Sequence, residues 1–143
     1  MPNLAGIAND PNNLPLVFFA GTPAGADVAI TVGGTYYDAA TLGTLQPGLY
    51  LINAQVSFVN TGAAGFETAK LLYGTVILAS GESSAILTTG EAQVTLGPVA
   101  VNIGTAGVVK VQGTGTAAGT IKNATVSNGT PGNCTFINAV RLK

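Results

Sequence analysis

A chain of 143 residues, 47% apolar and only 8% charged, can fill one hydrophobic core but has little ionic surface to cover it. Its formal net charge is −1, its five cations are scattered and it has no histidine; this removes a basic nucleic-acid footprint and the commonest general base at neutral pH. A single cysteine, Cys134, excludes an internal disulfide and a CxxC metal or redox pair.

Residues 1–15 (MPNLAGIANDPNNLP) hold three prolines and four asparagines. Proline removes donors and turns its neighbours away from helix, so this stretch is expected to be irregular and extended. It is either a frayed terminus or an arm laid on a neighbouring subunit and anchored by Leu4, Ile7 and Leu14. Residues 16–143 form the folded domain. Residues 16–20 (LVFFA) read as a first buried strand, broken by GTPAG at 21–25. Residues 27–32 are a second, Gly33-Gly34 a turn, and residues 35–39 a third. Residues 41–46 lead to Gln46-Pro47-Gly48, a turn signal.

The organising stretch follows, GLYLINAQVSFVN at 48–60. Tyr50, Ile52, Ala54, Val56 and Phe58 fall on one side, and Leu51, Asn53, Gln55 and Ser57 on the other. A period of two over this length specifies a strand with one dry face and one mixed face. Residues 66–73 (FETAKLLY) have the propensity for two helical turns, but their alternation also permits a strand. The β-rich surroundings favour the strand. Short strands are then expected at 76–79, 85–89, 92–96, 99–103, 108–113 and 121–127, separated by Gly-, Pro- and Ser-containing breaks. The closing segment, 134–142 (CTFINAVRL), puts Phe136, Asn138, Val140 and Leu142 on one face and Ile137 and Ala139 on the other. Cys134 reads as a small buried hydrophobe on that strand.

The total is eight to ten short strands and no firm helix, which is an all-β sandwich or barrel. The best strands are apolar on both faces, whereas a monomeric sandwich keeps one face of each sheet wet. Burial of an outer face by another subunit is therefore expected.

No catalytic constellation is present. Without histidine a Ser-His-Asp or Cys-His site cannot be assembled, and a zinc site of the His or Cys type is excluded. Glu82 and Glu91 flank the strand expected at 85–89, but they read as solvated loop-edge charges rather than a carboxylate pair for glycoside cleavage. No clustered-Asp calcium pattern occurs. Three Asn-x-Thr matches (at Asn123, Asn128 and Asn133) read as chance in an Asn/Thr-rich chain. The expectation is no enzyme, no cofactor and no nucleic-acid or membrane partner. The start, Met1-Pro2-Asn3, lacks a secretory pattern, so synthesis in a cytoplasm is expected.

Two segments carry a family resemblance: PGLYLINA at 47–54 running to Phe58, and TFINAVRL at 135–142. The chain resembles the C1q/TNF-like jelly rolls over roughly residues 35–143. There a P-G-x-Y strand opens the core and a T-F-x-x-x-x-L strand closes the domain. The resemblance implies a single-domain antiparallel jelly roll of about ten strands, assembled as a homotrimer about a three-fold axis lined by apolar and aromatic side chains. Tyr50, Phe58 and Phe136 are the candidates for that trimer core. Within the family, a short chain without a collagen stalk is similar to the decoration, or cement, proteins of tailed phages. That implies a structural virion protein on the outer surface of an icosahedral capsid, at three-fold or quasi-three-fold sites, made in the host cytoplasm. Its partners would be itself and the major capsid protein, with Leu4, Ile7 and Leu14 as capsid contacts. The alternative is a receptor- or glycan-binding tip domain of a fibre or surface appendage, with Tyr36, Tyr37 and Tyr73 as stacking platforms.

Overall fold

The computed structural model describes residues 17–23, 26–84, 90–123 and 134–142. The described residues contain no helix and fold as two antiparallel sheets face to face. The strands are β1 (Val17–Ala20), β2 (Thr22–Pro23), β3 (Val28–Ile30), β4 (Tyr37–Leu45), β5 (Gly48–Asn60), β6 (Glu67–Tyr73), β7 (Val76–Glu82), β8 (Gly90–Ile103), β9 (Gly107–Gly115), β10 (Gly119–Ile121) and β11 (Phe136–Arg141). Three of them, β2, β3 and β10, are only two or three residues long. The strand-rich, helix-free pattern is as expected, but β5 and β8 are long, at 13 and 14 residues. The architecture is the all-β jelly-roll sandwich.

The first sheet is built around β5. One edge of β5 pairs with β8 along its full length, from Gly48 opposite Ile103 to Asn60 opposite Gly90. The other edge takes two strands in tandem. Strand β11 covers Tyr50 to Gln55 and β10 covers Phe58 to Asn60, with β1 beyond β11 and β3 beyond β10. The second sheet runs β2-β4-β9-β6-β7.

The alternation read in β5 is the alternation of burial. Tyr50, Ile52, Ala54, Val56 and Phe58 are all at most 1% exposed and face the second sheet. They meet Ala39, Leu45, Ala69, Leu71, Val109 and Val111 from β4, β6 and β9 in one core. Full burial of each large side chain contributes about 1.5–3 kcal/mol relative to exposure. In β11 the expected faces also hold, with Ile137 and Ala139 inside.

Several boundaries move, each for a tertiary reason. Residues 35–39 and 41–46 are one strand, β4, which passes two register shifts against β9. Residues 92–96 and 99–103 are one strand, β8, despite the intervening Gly97-Pro98. Ile52 pairs with Val99 and Ala54 with Leu96, so those two residues stand opposite Asn53 alone, as a bulge. The bulge takes proline, which has no N–H, out of the ladder. Gly97 takes a φ of +106° there. The breaker at 21–25 contains β2, which crosses from the first sheet to the second at Gly21. A Cβ on Gly21 would lie 2.2 Å from Ile137 Cγ2, and the Gly21 N–H donates to Ile137 O at 2.7 Å. Of the expected strand at 121–127, Ile121 ends β10, Lys122 and Asn123 lie outside any strand, and 124–127 are outside the described residues. The expected strand at 85–89 lies outside the described residues. The ambiguous segment at 66–73 is a strand, because β9 and β7 bracket it with ladder hydrogen bonds.

Candidate functional site

The two outward faces of the sandwich differ in chemistry. At the middle of the second sheet the outward positions are ionic, while Val76, Ile77 and Val108 are exposed near one end. Lys110 bridges to Asp38 at 2.8 Å, and Gln112 donates to the same carboxylate oxygen at 2.6 Å. Partial burial opposes ionisation of Asp38, but the Lys110 and Gln112 donors outweigh it and hold the carboxyl below the usual range. Lys70 sits 3.5 Å from the centre of the Tyr36 ring, a cation–π contact.

The first sheet faces outward with Leu49, Leu51, Asn53, Gln55, Ser57 and Val59 of β5, alternating with the core residues. Their register partners are Asn102, Ala100, Thr95, Gln93 and Glu91 of β8, and Phe136, Asn138 and Val140 of β11. From Leu49 to Gln55, no outward position on these three strands is charged. Arg141 alternates with the inward Ile137 and Ala139, and its guanidinium donates to Pro47 O at 2.8 Å. This stretch of the first sheet is apolar and amide, whereas the middle of the second sheet is ionic.

Where β11 gives way to β10 along β5, side chains complete the ladder. Thr135, fully buried, accepts from Ser57 N–H through Oγ1 at 3.1 Å and donates to Lys122 O at 2.9 Å. Gln55 Nε2 and Ser57 Oγ both donate to Cys134 O. Lys122 is bound to Asp27, whose other oxygen accepts from Asn123 N–H at 2.9 Å. Beside this junction is a cleft of about 260 Å³ lined by Ser57, Glu91, Gln93, Lys122 and Cys134 among others. Cys134 precedes β11 and is half-buried, rather than a core residue on the strand. No group of three or more His, Cys, Asp or Glu converges among the described residues.

Of the six side chains singled out from the sequence, Leu4, Ile7 and Leu14 lie outside the described residues. Tyr50 and Phe58 require correction. They are 0% and 1% exposed and belong to the core of a single subunit, so they cannot line an axis between subunits. Tyr50 donates its hydroxyl to Gln46 O at 2.8 Å, and Phe58 packs where Gly113 has no Cβ. Phe136 alone of the three is on the outward face, half-buried beside Gln55. The tyrosines considered as stacking platforms have partners within the subunit. Tyr37 shares a 3.0 Å hydrogen bond with Thr31, Tyr73 donates to Thr105 O, and Tyr36 is under Lys70. Glu82 and Glu91 end β7 and begin β8 as exposed residues.

One residue was missed. Glu67 is 2% exposed, its Oε2 has no hydrogen-bond partner, and burial pushes its carboxyl up to about 7. Its only sequence signal was parity, since the alternation that buries Ala69 and Leu71 buries Glu67 with them.

No family model matches the chain, and no curated protein matches its sequence. Among solved structures it is similar to Eiger TNF from S. frugiperda, at 12% identity and a TM-score of 0.55, over 91% of this chain and 94% of that one. At that identity the likeness establishes the fold, a TNF-like jelly roll, and nothing about activity.

Proposed function

We propose that the protein is a homotrimeric structural protein that decorates and stabilises the outside of an icosahedral phage capsid at three-fold or quasi-three-fold sites, with the major capsid protein as its partner. The observation that carries this reading is the outward face of the first sheet, uncharged from Leu49 to Gln55, in a TNF-like jelly roll. A face of Leu49, Leu51, Val140 and Phe136 interleaved with amides gains from meeting copies of itself and loses little ionic hydration in doing so. The low charge of the whole chain adds little repulsion between copies.

The mechanism is mechanical. Each trimer bridges neighbouring capsid subunits, and the apolar area it buries, at about 25 cal/mol per Å² before association costs, adds to the cohesion of the shell. Three linked copies engage together, so modest contacts give a large avidity. The arm at 1–15, with Leu4, Ile7 and Leu14, contributes part of the contact.

Light scattering of the native protein at low micromolar concentration is the first test, and a mass three times 14.1 kDa is expected. Binding to mature shells assembled from the major capsid protein of the phage that encodes the chain is the second. Saturation at a copy number set by the lattice supports the reading. A monomer, or a trimer that leaves such shells bare, overturns it. Removal of residues 1–15 is expected to weaken binding while leaving the trimer folded.

A further inference from the structure

We propose that one end of the sandwich, the end bearing the turns at 46–47, 74–75 and 104–106, is the face that docks on the shell, and that the surface it meets is apolar with acidic groups at its rim. This rests on the decoration reading above and names the contact face that reading leaves open.

The register assigns the exposed side chains to ends. Tyr50 lies opposite Arg141 and Val101, Arg141 opposite Val17, Gly48 opposite Ile103, Leu45 opposite Gly107, and Tyr73 opposite both Val109 and Val76. These positions share one end of the molecule. Seven large apolar side chains are exposed among the described residues, and five of them (Leu49, Val76, Ile77, Val108 and Leu142) are at this end. Val76, Ile77 and Val108 are 57%, 52% and 44% exposed, on the second sheet and away from the face assigned to trimer contacts.

Charge is sorted along the same axis. Of the five described carboxylates, Asp27, Glu67, Glu82 and Glu91 are toward the opposite end, and Asp38 is at mid-sheet, held by Lys110. The three turns at the apolar end contain no charged residue, and among the described residues Arg141 is the ionic group beside them. An apolar surface whose described residues carry no carboxylate and one cation at the margin is complementary to an apolar surface with an acidic margin. It is poorly suited to meet the same end of a second copy, where Arg141 would face Arg141. It also lacks the tryptophan and the cluster of cations that hold a protein at an anionic membrane.

A cyclic trimer whose axis runs along the strands presents this end of all three copies on one side, and therefore makes one composite face.

The test uses full-length trimers and the same shells. Val108→Asp and Val76→Asp alter this end, and Val32→Asp and Phe66→Asp alter the other. Light scattering and thermal melts first establish that each variant is a folded trimer. Thr105→Asp, in the exposed turn at this same end, replaces either apolar-end variant that is not. The apolar-end variants are expected to lose about tenfold or more in shell affinity and the opposite-end variants less than about twofold. Val108→Lys is expected to bind more tightly than Val108→Asp, with the gap closing as salt is raised. If the unmodified trimer binds shells and Val108→Asp binds equally well, the docking end is wrong and the decoration reading stands. If the unmodified trimer binds no shells, both fall. Mass rising to multiples of the trimer and reversed by Val108→Asp identifies another copy as the occupant. Binding to phosphatidylglycerol vesicles abolished by Val76→Asp identifies a membrane. Either of these last results overturns the proposal.

Discussion

The carboxyl of Glu67 occupies the space that a side chain at Gly115 would take: a Cβ built there lies 2.2 Å from Glu67 Oε2. The two residues are register partners on β6 and β9. Ser83 closes the other side, its Oγ accepting from Glu67 N–H at 3.0 Å and its N–H donating to Glu67 O at 2.8 Å. Among the described residues no cation reaches the carboxyl, so ionising it costs free energy that the fold does not return.

A pH dependence follows from that burial. The folded-state pKa of Glu67 is raised to about 7 from 4.5. The folded state therefore retains a proton that the unfolded chain sheds from about pH 4.5 upward. The stability contributed by this group is present below about pH 4.5, falls as pH rises toward 7 and is level above it. Glu67→Gln carries no ionisable group. It is expected to abolish this slope and to raise stability at pH 8 by about 1–3 kcal/mol. Urea unfolding at pH 5 and pH 8 for both proteins checks it. An unchanged slope in the variant would assign the pH dependence elsewhere.

Gly115→Ala forces the carboxyl out of its place against Gly115. The expected cost is about 1–3 kcal/mol, as for overpacking in a filled core. In the Glu67→Ala background the same substitution is expected to cost far less, because the conflicting atoms are gone. A double-mutant cycle by thermal denaturation measures the coupling.

Placement of Tyr50 and Phe58 in the subunit core predicts a folding defect rather than a dissociated trimer. Phe58→Ala is expected to cost about 3–5 kcal/mol, and Tyr50→Phe about 1 kcal/mol through loss of the hydrogen bond to Gln46 O. Denaturant midpoints read both. If Phe58→Ala gives a folded monomer at undiminished stability, the core assignment fails.

Leu51→Glu and Val140→Glu place a charge on the outward face of the first sheet, at half-buried positions adjacent in register. Under the proposed trimer, either is expected to keep the β-sheet circular dichroism of the wild type and to reduce the solution mass to that of one chain, 14.1 kDa. Lys70→Glu, on the outward face of the second sheet, is the control and should remain trimeric.

Asp27 ties β3 to the segment after β10 through Lys122 and Asn123. The pair is about four-fifths buried, so Asp27→Ala leaves a cation and an amide N–H without their acceptor. An expected loss of about 2–4 kcal/mol is read from unfolding curves.

Local pattern alone specified much of this protein. The period of two in GLYLINAQVSFVN and in FINAVR is a property of adjacent residues, so the strands and the two faces of each could be read directly from it. Absence of histidine and scarcity of charge bounded the chemistry in the same way. Partnership between distant segments was not legible. Gly115 stands 48 residues from Glu67, and only the β6–β9 register puts the carboxyl where a Cβ would be. Likewise, alternation showed that Tyr50, Phe58 and Phe136 lie on strand faces, but it did not say which face meets the second sheet. Burial assigned Tyr50 and Phe58 to the subunit core and Phe136 to the surface. The fusion of 92–96 with 99–103 needed a partner strand to absorb Gly97 and Pro98 opposite Asn53. Sidedness within a strand is set by the pleat, over a few residues. Sheet order, bulges and the sorting of charge to one end are set by long-range pairing, which only the folded chain decides.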